Sequence, residues 1–286
     1  MTQVSDVAQS SRPWPTTPPR LVATDLDNTL LGPDERISPR TERALAAAAD
    51  AGIAVVFVSA RPLRRLRELA AHVAGHGVAI CSNGAAVFDV GADSVLAQSG
   101  MSQAEVVRVV ELLRTAWGPE AVHFATEHAD GFDKETAFTE SYVVPRGSRV
   151  ADRIEDVLTD STLKLLVRTS LPWDETFASR VADVIGDAGL VADSGAPGLG
   201  EISGSGVTKA ATLERWAAGL GIGPDEVWAF GDAPNDLPML RWAGTSFAVA
   251  NAYPEVSQAA THECPSNADD GVARVLEHIV GLGSSR

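Results

Sequence analysis

Residues 24–30 read Thr-Asp-Leu-Asp-Asn-Thr-Leu (TDLDNTL), between the apolar run LVA at 21–23 and LGPDE at 31–35. In an extended segment residues two apart share a face, so Asp25 and Asp27 fall on one side of a strand end. Adjacent carboxylates raise each other's energy unless a cation lies between them. The simpler account is a solvated turn rich in Asp and Asn. The rest of the chain decides between the two.

Four more apolar runs stop at small polar residues: IAVVFVSA at 53–60, GVAICSN at 77–83, VWAFGD at 227–232 and SFAVAN at 246–251. Runs of this length and apolar content suit strands buried on both faces, as in a parallel sheet. Helical spacing fills the intervals. SPRTERALAAAADAG at 38–52 has Ser38 to cap its start and Gly52 to stop it, and VTKAATLERWAAGLG at 207–221 and DLPMLRWAG at 236–244 follow the same period. Strands alternating with helices predict a doubly wound, Rossmann-like parallel sheet of the α/β class. Ligands of such sheets bind outside the carboxyl ends of the strands. There Asp25, Ser59, Asn83, Asp232 and Asn251 would converge.

The stretch 85–199 has another character. Two long amphipathic patterns, 102–117 and 172–189, stand among short strand-like runs at 121–127, 162–170 and 189–195, with turns at HADGFD (128–133) and SGAPGLGEISGSG (194–206). It reads as an α+β unit inserted into the core. The expected division is a disordered Pro-rich tail over 1–19, a discontinuous core over 20–84 and 200–286, and a cap over 85–199.

The 286 residues carry 23 Lys and Arg against 38 Asp and Glu, a formal charge of −15, which argues against nucleic-acid or membrane-surface partners. No apolar stretch reaches bilayer length, and the N-terminal segment lacks the pattern of a secretory signal. Two cysteines, Cys81 and Cys264, make neither a disulfide framework nor a zinc site, and suit a reducing, cytoplasmic compartment. His72 and His76, four apart, lack a third ligand nearby and read as surface or packing residues. GLGEISGSG lacks the dinucleotide-binding spacing, and GSGVTK lacks the glycine before lysine of a phosphate-binding loop.

Asp25, Asp27, Asp232 and Asp236 would destabilise one another unless they held a divalent cation. All-oxygen donors at an open site favour Mg²⁺. Lys209 in SGVTKAATL would balance that charge and hold a phosphate oxygen, and the Ser59 hydroxyl would donate to the same group. Asn83-Gly84 is most simply a turn, at a third strand end. Such a set supports attack by a metal-bound carboxylate on phosphorus, with a second carboxylate serving the leaving alkoxide and then the hydrolytic water.

Asp25-x-Asp27-x-Thr29, Ser59 after a strand, Lys209 and GDAPNDLPML (231–240) resemble the four ordered motifs of the haloacid dehalogenase-like superfamily. Ser82-Asn83-Gly84, the insert after it, and GVTKAATL, VANAYPEV and DDGVARVL are similar to the Cof-type phosphatases with a type IIB cap. The likeness runs from about residue 20 to the C-terminus. It implies Asp25 as nucleophile and metal ligand, and Asp27 as general acid/base with its backbone carbonyl on Mg²⁺. Ser59 and Lys209 would hold the phosphoryl group, Asp232 would be the third protein ligand, Asn235 would touch phosphate or substrate, and Asp236 would support the metal site. Asn28 departs from the glycine common at that place, and Asn tolerates the same turn conformations.

The function expected is Mg²⁺-dependent hydrolysis of a small phosphorylated metabolite, such as a sugar phosphate, by a monomer or homodimer. Two alternatives are a phosphoryl-transferring mutase of the same superfamily and a catalytically idle phosphate-ligand sensor. Within the cap, Arg168, Lys164 and Glu201 are candidates to select the substrate, with exposed salt bridges as the equal alternative.

Overall fold

The computed structural model describes residues 12–67, 77–129, 131–139, 144–172, 174–192 and 198–283. His72, His76 and Trp173 lie outside these. Six parallel strands form the heart of the core: β1 (Leu21–Thr24), β2 (Ala54–Val58), β3 (Val78–Cys81), β12 (Val227–Gly231), β13 (Thr245–Val249) and β14 (His262–Cys264). All five apolar runs are strands, and the central four are almost wholly buried because helices cover both faces. Alternation divides their side chains: Val22, Val55, Phe57 and Phe230 pack toward one side with α1 (Pro39–Asp50) and α8 (Gly271–Gly283). Leu21, Ala23, Val56 and Ala229 pack toward the other, with α5 (Lys209–Gly219), α6 (Leu237–Trp242) and α7 (Pro254–Ala259). Ser38 caps α1 by accepting from the Thr41 N–H. A single-turn helix, α2 (Leu63–Leu66), follows β2.

The expected boundaries shift in three places. β4 (Ala86–Asp89) and β5 (Ser94–Gln98) pair antiparallel with β3 and with each other, completing an eight-stranded sheet ordered β14-β13-β12-β1-β2-β3-β4-β5. The stretch 86–98, expected in the cap, therefore belongs to the core sheet. A hairpin can extend a parallel sheet at its edge as readily as it can join another sheet. At the far end β11 (Leu199–Ser203) pairs in the cap sheet, so the cap strands run past 199. Residues 12–19, expected as disordered tail, lie against the core: Trp14 donates its indole N–H to the Glu263 carbonyl at 2.9 Å and meets Phe247 and His278 edge-on. It thereby covers the free edge at β14.

The cap sheet is ordered β10-β11-β9-β6-β7-β8, the other strands being β6 (Val122–His128), β7 (Gly131–Glu135), β8 (Val150–Ala151), β9 (Lys164–Thr169) and β10 (Leu190–Ala192). Its helices are α3 (Gln103–Trp117), started by a Ser102–Glu105 capping box, and α4 (Phe177–Ile185). Leu165, Val167, Phe124 and Ile202 point to these helices. The alternate residues, Lys164, Leu166 and Glu201 among them, take the opposite face and border a cleft against the core.

Candidate active site

The chain leaves β1 at Asp25 and turns back on itself, the Leu31 N–H reaching the Leu26 carbonyl at 2.8 Å. Asn28 takes φ 56°, ψ 4°, the left-handed conformation foreseen for that position. Its carbonyl accepts from the Asn251 side-chain amide at 2.8 Å, so Asn251 clasps the loop after β13 to the loop after β1.

Lys209 is the first residue of α5, and Gly84 decides where that helix begins. A Cβ on Gly84 would stand 2.3 Å from the Thr208 carbonyl oxygen, and the residue has φ +105°. The close approach brings Thr212 Oγ1 to donate to the Gly84 carbonyl at 2.8 Å. Lys209 Nζ then lies 2.6 Å from Asp25 Oδ1 and 2.8 Å from Asp236 Oδ1, with all three side chains buried. Asp236 directs its second oxygen to the backbone N–H groups of Asp232 and Ala233, both at 3.2 Å. Asp232 Oδ1 accepts from Thr29 Oγ1 at 2.9 Å.

These charges are unevenly matched. Burial opposes the charge on Lys209, but Asp236 and Asp25 outweigh it and hold the ammonium above the ordinary lysine range. Burial lifts Asp25 well above the usual carboxylate range against the pull of Lys209, with Asp236 and Asp232 adding repulsion. Asp232 is pushed up to about 6 by burial and by Asp236 and Asp27, against the Thr29 hydrogen bond and Lys209. Oxygens of Asp25, Asp232 and Asp236 lie within 4.8 Å of one another. Three buried oxygen donors with one lysine among them fit a hard divalent cation such as Mg²⁺. Since both Asp236 oxygens are taken by Lys209 and two N–H groups, Asp25 and Asp232 are the better direct ligands.

The Asp27 carboxylate stands apart from that group. Arg61 grips it with Nε at 3.0 and 2.9 Å and with Nη2 as well, and reaches Glu35 at 3.2 Å. Arg61 was not singled out from the sequence, because one arginine after a strand reads as surface; here its side chain is buried. Ser59 Oγ accepts from the Arg61 N–H at 3.0 Å, a turn-capping role, and Ala60 and Arg61 rather than Ser59 form the cleft wall. Asn83 sits at φ 57° and donates to Glu201 Oε2 at 3.3 Å, away from that wall. Asn235 borders the cleft, and its buried Oδ1 has no hydrogen-bond partner among the described residues.

The cleft encloses about 440 Å³, bounded by Asp25, Asp27, Lys209 and Asp232 from the core and by Lys164, Glu127 and Glu201 from the cap. That volume suits a small-molecule site. Lys164 and Glu201, expected as candidates or exposed salt bridges, form a buried pair at 2.9 Å. Arg168 instead lies over the Phe138 ring, 5.8 Å from its centroid. Burial pushes the thiols of Cys81 and Cys264 up to about 12, which leaves them protonated and without a nucleophilic role. No helix among the described residues is long and apolar enough to cross a membrane.

Residues 22–276 match the family model for haloacid dehalogenase-like hydrolases. The chain is 26% identical over 263 residues to the 5-amino-6-(5-phospho-D-ribitylamino)uracil phosphatase YcsE of Bacillus subtilis, covering 91% of this chain and 96% of that protein. It is 27% identical over 274 residues to the pyridoxal phosphate phosphatase YbhA of Escherichia coli, covering 91% and 99%. Its fold superimposes on the solved structure of the subclass IIB sugar phosphatase BT4131 with a TM-score of 0.73, at 21% identity, covering 92% of this chain and 99% of that one. The order of the core motifs, the capped cleft and the match over nearly the whole chain agree: this protein belongs to the haloacid dehalogenase-like hydrolases.

Proposed function

We propose that the protein is a Mg²⁺-dependent phosphatase that hydrolyses a small phosphorylated metabolite through an aspartyl-phosphate. The observation that carries this reading is Asp25, buried at a strand end, touching Lys209 and facing Asp232 at the floor of a cap-covered cleft. Relatives named as phosphatases of small phosphorylated compounds support it.

Mg²⁺ bound by Asp25 and Asp232 would supply positive charge for the phosphoryl oxygens and keep both carboxylates ionised. Lys209 fixes Asp25 Oδ1, leaving Oδ2 as the attacking atom, and shares in neutralising the equatorial oxygens. Attack forms the Asp25 Oδ2–P bond as the P–O bond to the leaving group breaks. For its part in this step Asp27 must leave Arg61, on which it rests beside the cleft, and enter protonated; it gives that proton to the leaving oxygen. It then takes one from the water that cleaves the acyl phosphate and restores Asp25. Lys164 Nζ donates to the Ala60 carbonyl at 2.8 Å, tying cap to core beside the cleft.

Asp25→Asn tests the reading. The unaltered protein turns over an aryl phosphate only with Mg²⁺ present, and the variant loses at least about 10³-fold in kcat. Comparable turnover by the variant rules out the covalent route.

A further inference from the structure

The cap side of the cleft has a chemistry of its own. Lys164 is buried at the start of β9, and Glu127, its direct cross-strand neighbour on β6, is 4% exposed. Of the three Lys164 protons, one goes to the Ala60 carbonyl at 2.8 Å and one to Glu201 Oε2 at 2.9 Å. Glu127 Oε1 accepts from Arg64 at 3.0 Å. Its Oε2, buried, has no hydrogen-bond partner among the described residues and stands 3.7 Å from Lys164 Nζ. That gap is too long for a direct hydrogen bond. An atom bonded to both must accept from the ammonium and donate to the carboxylate.

A hydroxyl does both. A phosphate or carboxylate oxygen would accept from Lys164 but face Glu127 with like charge, and an ammonium would do the reverse. Charge balance points the same way, since Lys164 and Arg64 are matched by Glu201 and Glu127. The other cations bordering the cleft, Arg61, Arg65 and Lys209, each have a carboxylate partner of this chain. Among the described residues no cation there is left over to bind a second anionic group.

We propose that Glu127 and Lys164, steadied by Arg64 and Glu201, form a subsite that recognises a hydroxyl on a neutral, polyhydroxylated leaving group. This rests on the phosphatase reading above. It adds that the favoured substrates are monophosphate esters of uncharged polyols, rather than bisphosphates or esters carrying an amine or a carboxylate.

The test compares a hexitol monophosphate, the matching bisphosphate and phenyl phosphate, with Mg²⁺ throughout. The unaltered protein is expected to favour the hexitol monophosphate in kcat/KM over both others. Glu127→Gln is expected to lower the preference over phenyl phosphate by about tenfold, chiefly through KM, because a charged acceptor is lost from a buried hydrogen bond. Glu201→Gln, which frees Lys164 from one partner, lowers the same ratio and serves if Glu127→Gln does not fold. An unchanged ratio in a folded variant overturns the proposal, as does a wild-type preference for the bisphosphate. If the unaltered protein turns over none of the three esters, the phosphatase reading falls instead. Calorimetric binding of the same esters then decides the subsite by whether the hexitol monophosphate binds more tightly than the others.

Discussion

Two lysines are buried in this protein in similar ways, one in the core and one in the cap. Lys209 lies between Asp25 and Asp236, and Lys164 beside Glu201 and Glu127. Burial works against both ammonium groups, and neighbouring carboxylates overcome it in both, so each titrates above the ordinary lysine range. The surroundings differ. Around Lys209 three carboxylates share one lysine, and two of them are driven toward protonation. Around Lys164 two carboxylates meet two cations, because Arg64 also pairs with Glu127. The core cluster is short of positive charge and calls for a metal ion. The cap cluster is balanced and calls for a neutral ligand.

Removing each ammonium in turn is the strongest way to break this comparison. Lys209→Met leaves buried carboxylates without their cation and is expected to cost about 3–5 kcal/mol of stability. Activity should fall by about 10²–10³-fold, with part of the lost stability restored by Mg²⁺. Lys164→Met leaves Glu127 on Arg64 and Glu201 on Asn83, so about 1–3 kcal/mol is expected, with no such rescue. Chemical denaturation with and without Mg²⁺ reads both. Equal losses, or equal rescue, would show that the two clusters are electrostatically alike.

The same contrast separates what could be read in the sequence from what could not. Asp25, Lys209, Asp232 and Asp236 were legible because each stands at a strand end or helix start of a parallel core. There topology alone sends such residues to one edge. Glu127 was not, since its meeting with Lys164 depends on the antiparallel register of β6 on β9. Register follows from turn geometry and from which face is buried, and residues 37 apart in sequence carry no trace of it. Arg61 escaped for a related reason: its partner, Asp27, lies 34 residues away across two strands. The hairpin at 86–98 shows the limit for whole elements, because its place in the core sheet rests on pairing with β3, which no local pattern in 86–98 marks.

A smaller effect sharpens the claim that the core cluster lacks positive charge. Asp232 has a native pKa of about 6, above its ordinary 3.8, so the metal-free native state binds this proton more tightly than the unfolded chain does. The stability that proton contributes is present below about pH 4 and lost as pH rises through about 6. Asp25 is shifted in the same direction. Mg²⁺ competes with these protons, so it should stabilise more at pH 7.5 than at pH 5. At 100 times its Kd the ion contributes about 2.7 kcal/mol, a rise of about 5–10 °C in Tm at the higher pH. A Mg²⁺ shift of equal size at both pH values would place the ion elsewhere than on Asp25 and Asp232.

The smallest effect concerns the loop that carries Asp25 and Asp27. Asn28 is exposed and holds a left-handed conformation, and its carbonyl rather than its side chain takes the Asn251 clasp. Asn28→Gly removes a backbone strain of about 1 kcal/mol and adds a similar entropy to the unfolded chain. The two cancel, and stability should stay within about 0.5 kcal/mol. The clasp survives because glycine keeps the carbonyl, so Asp27 should remain on Arg61 and kcat should change less than about threefold. A larger fall in kcat at unchanged stability would mean that the Asn28 amide itself touches the substrate. In that case the core side of the cleft, and not only the cap, would take part in selecting the leaving group.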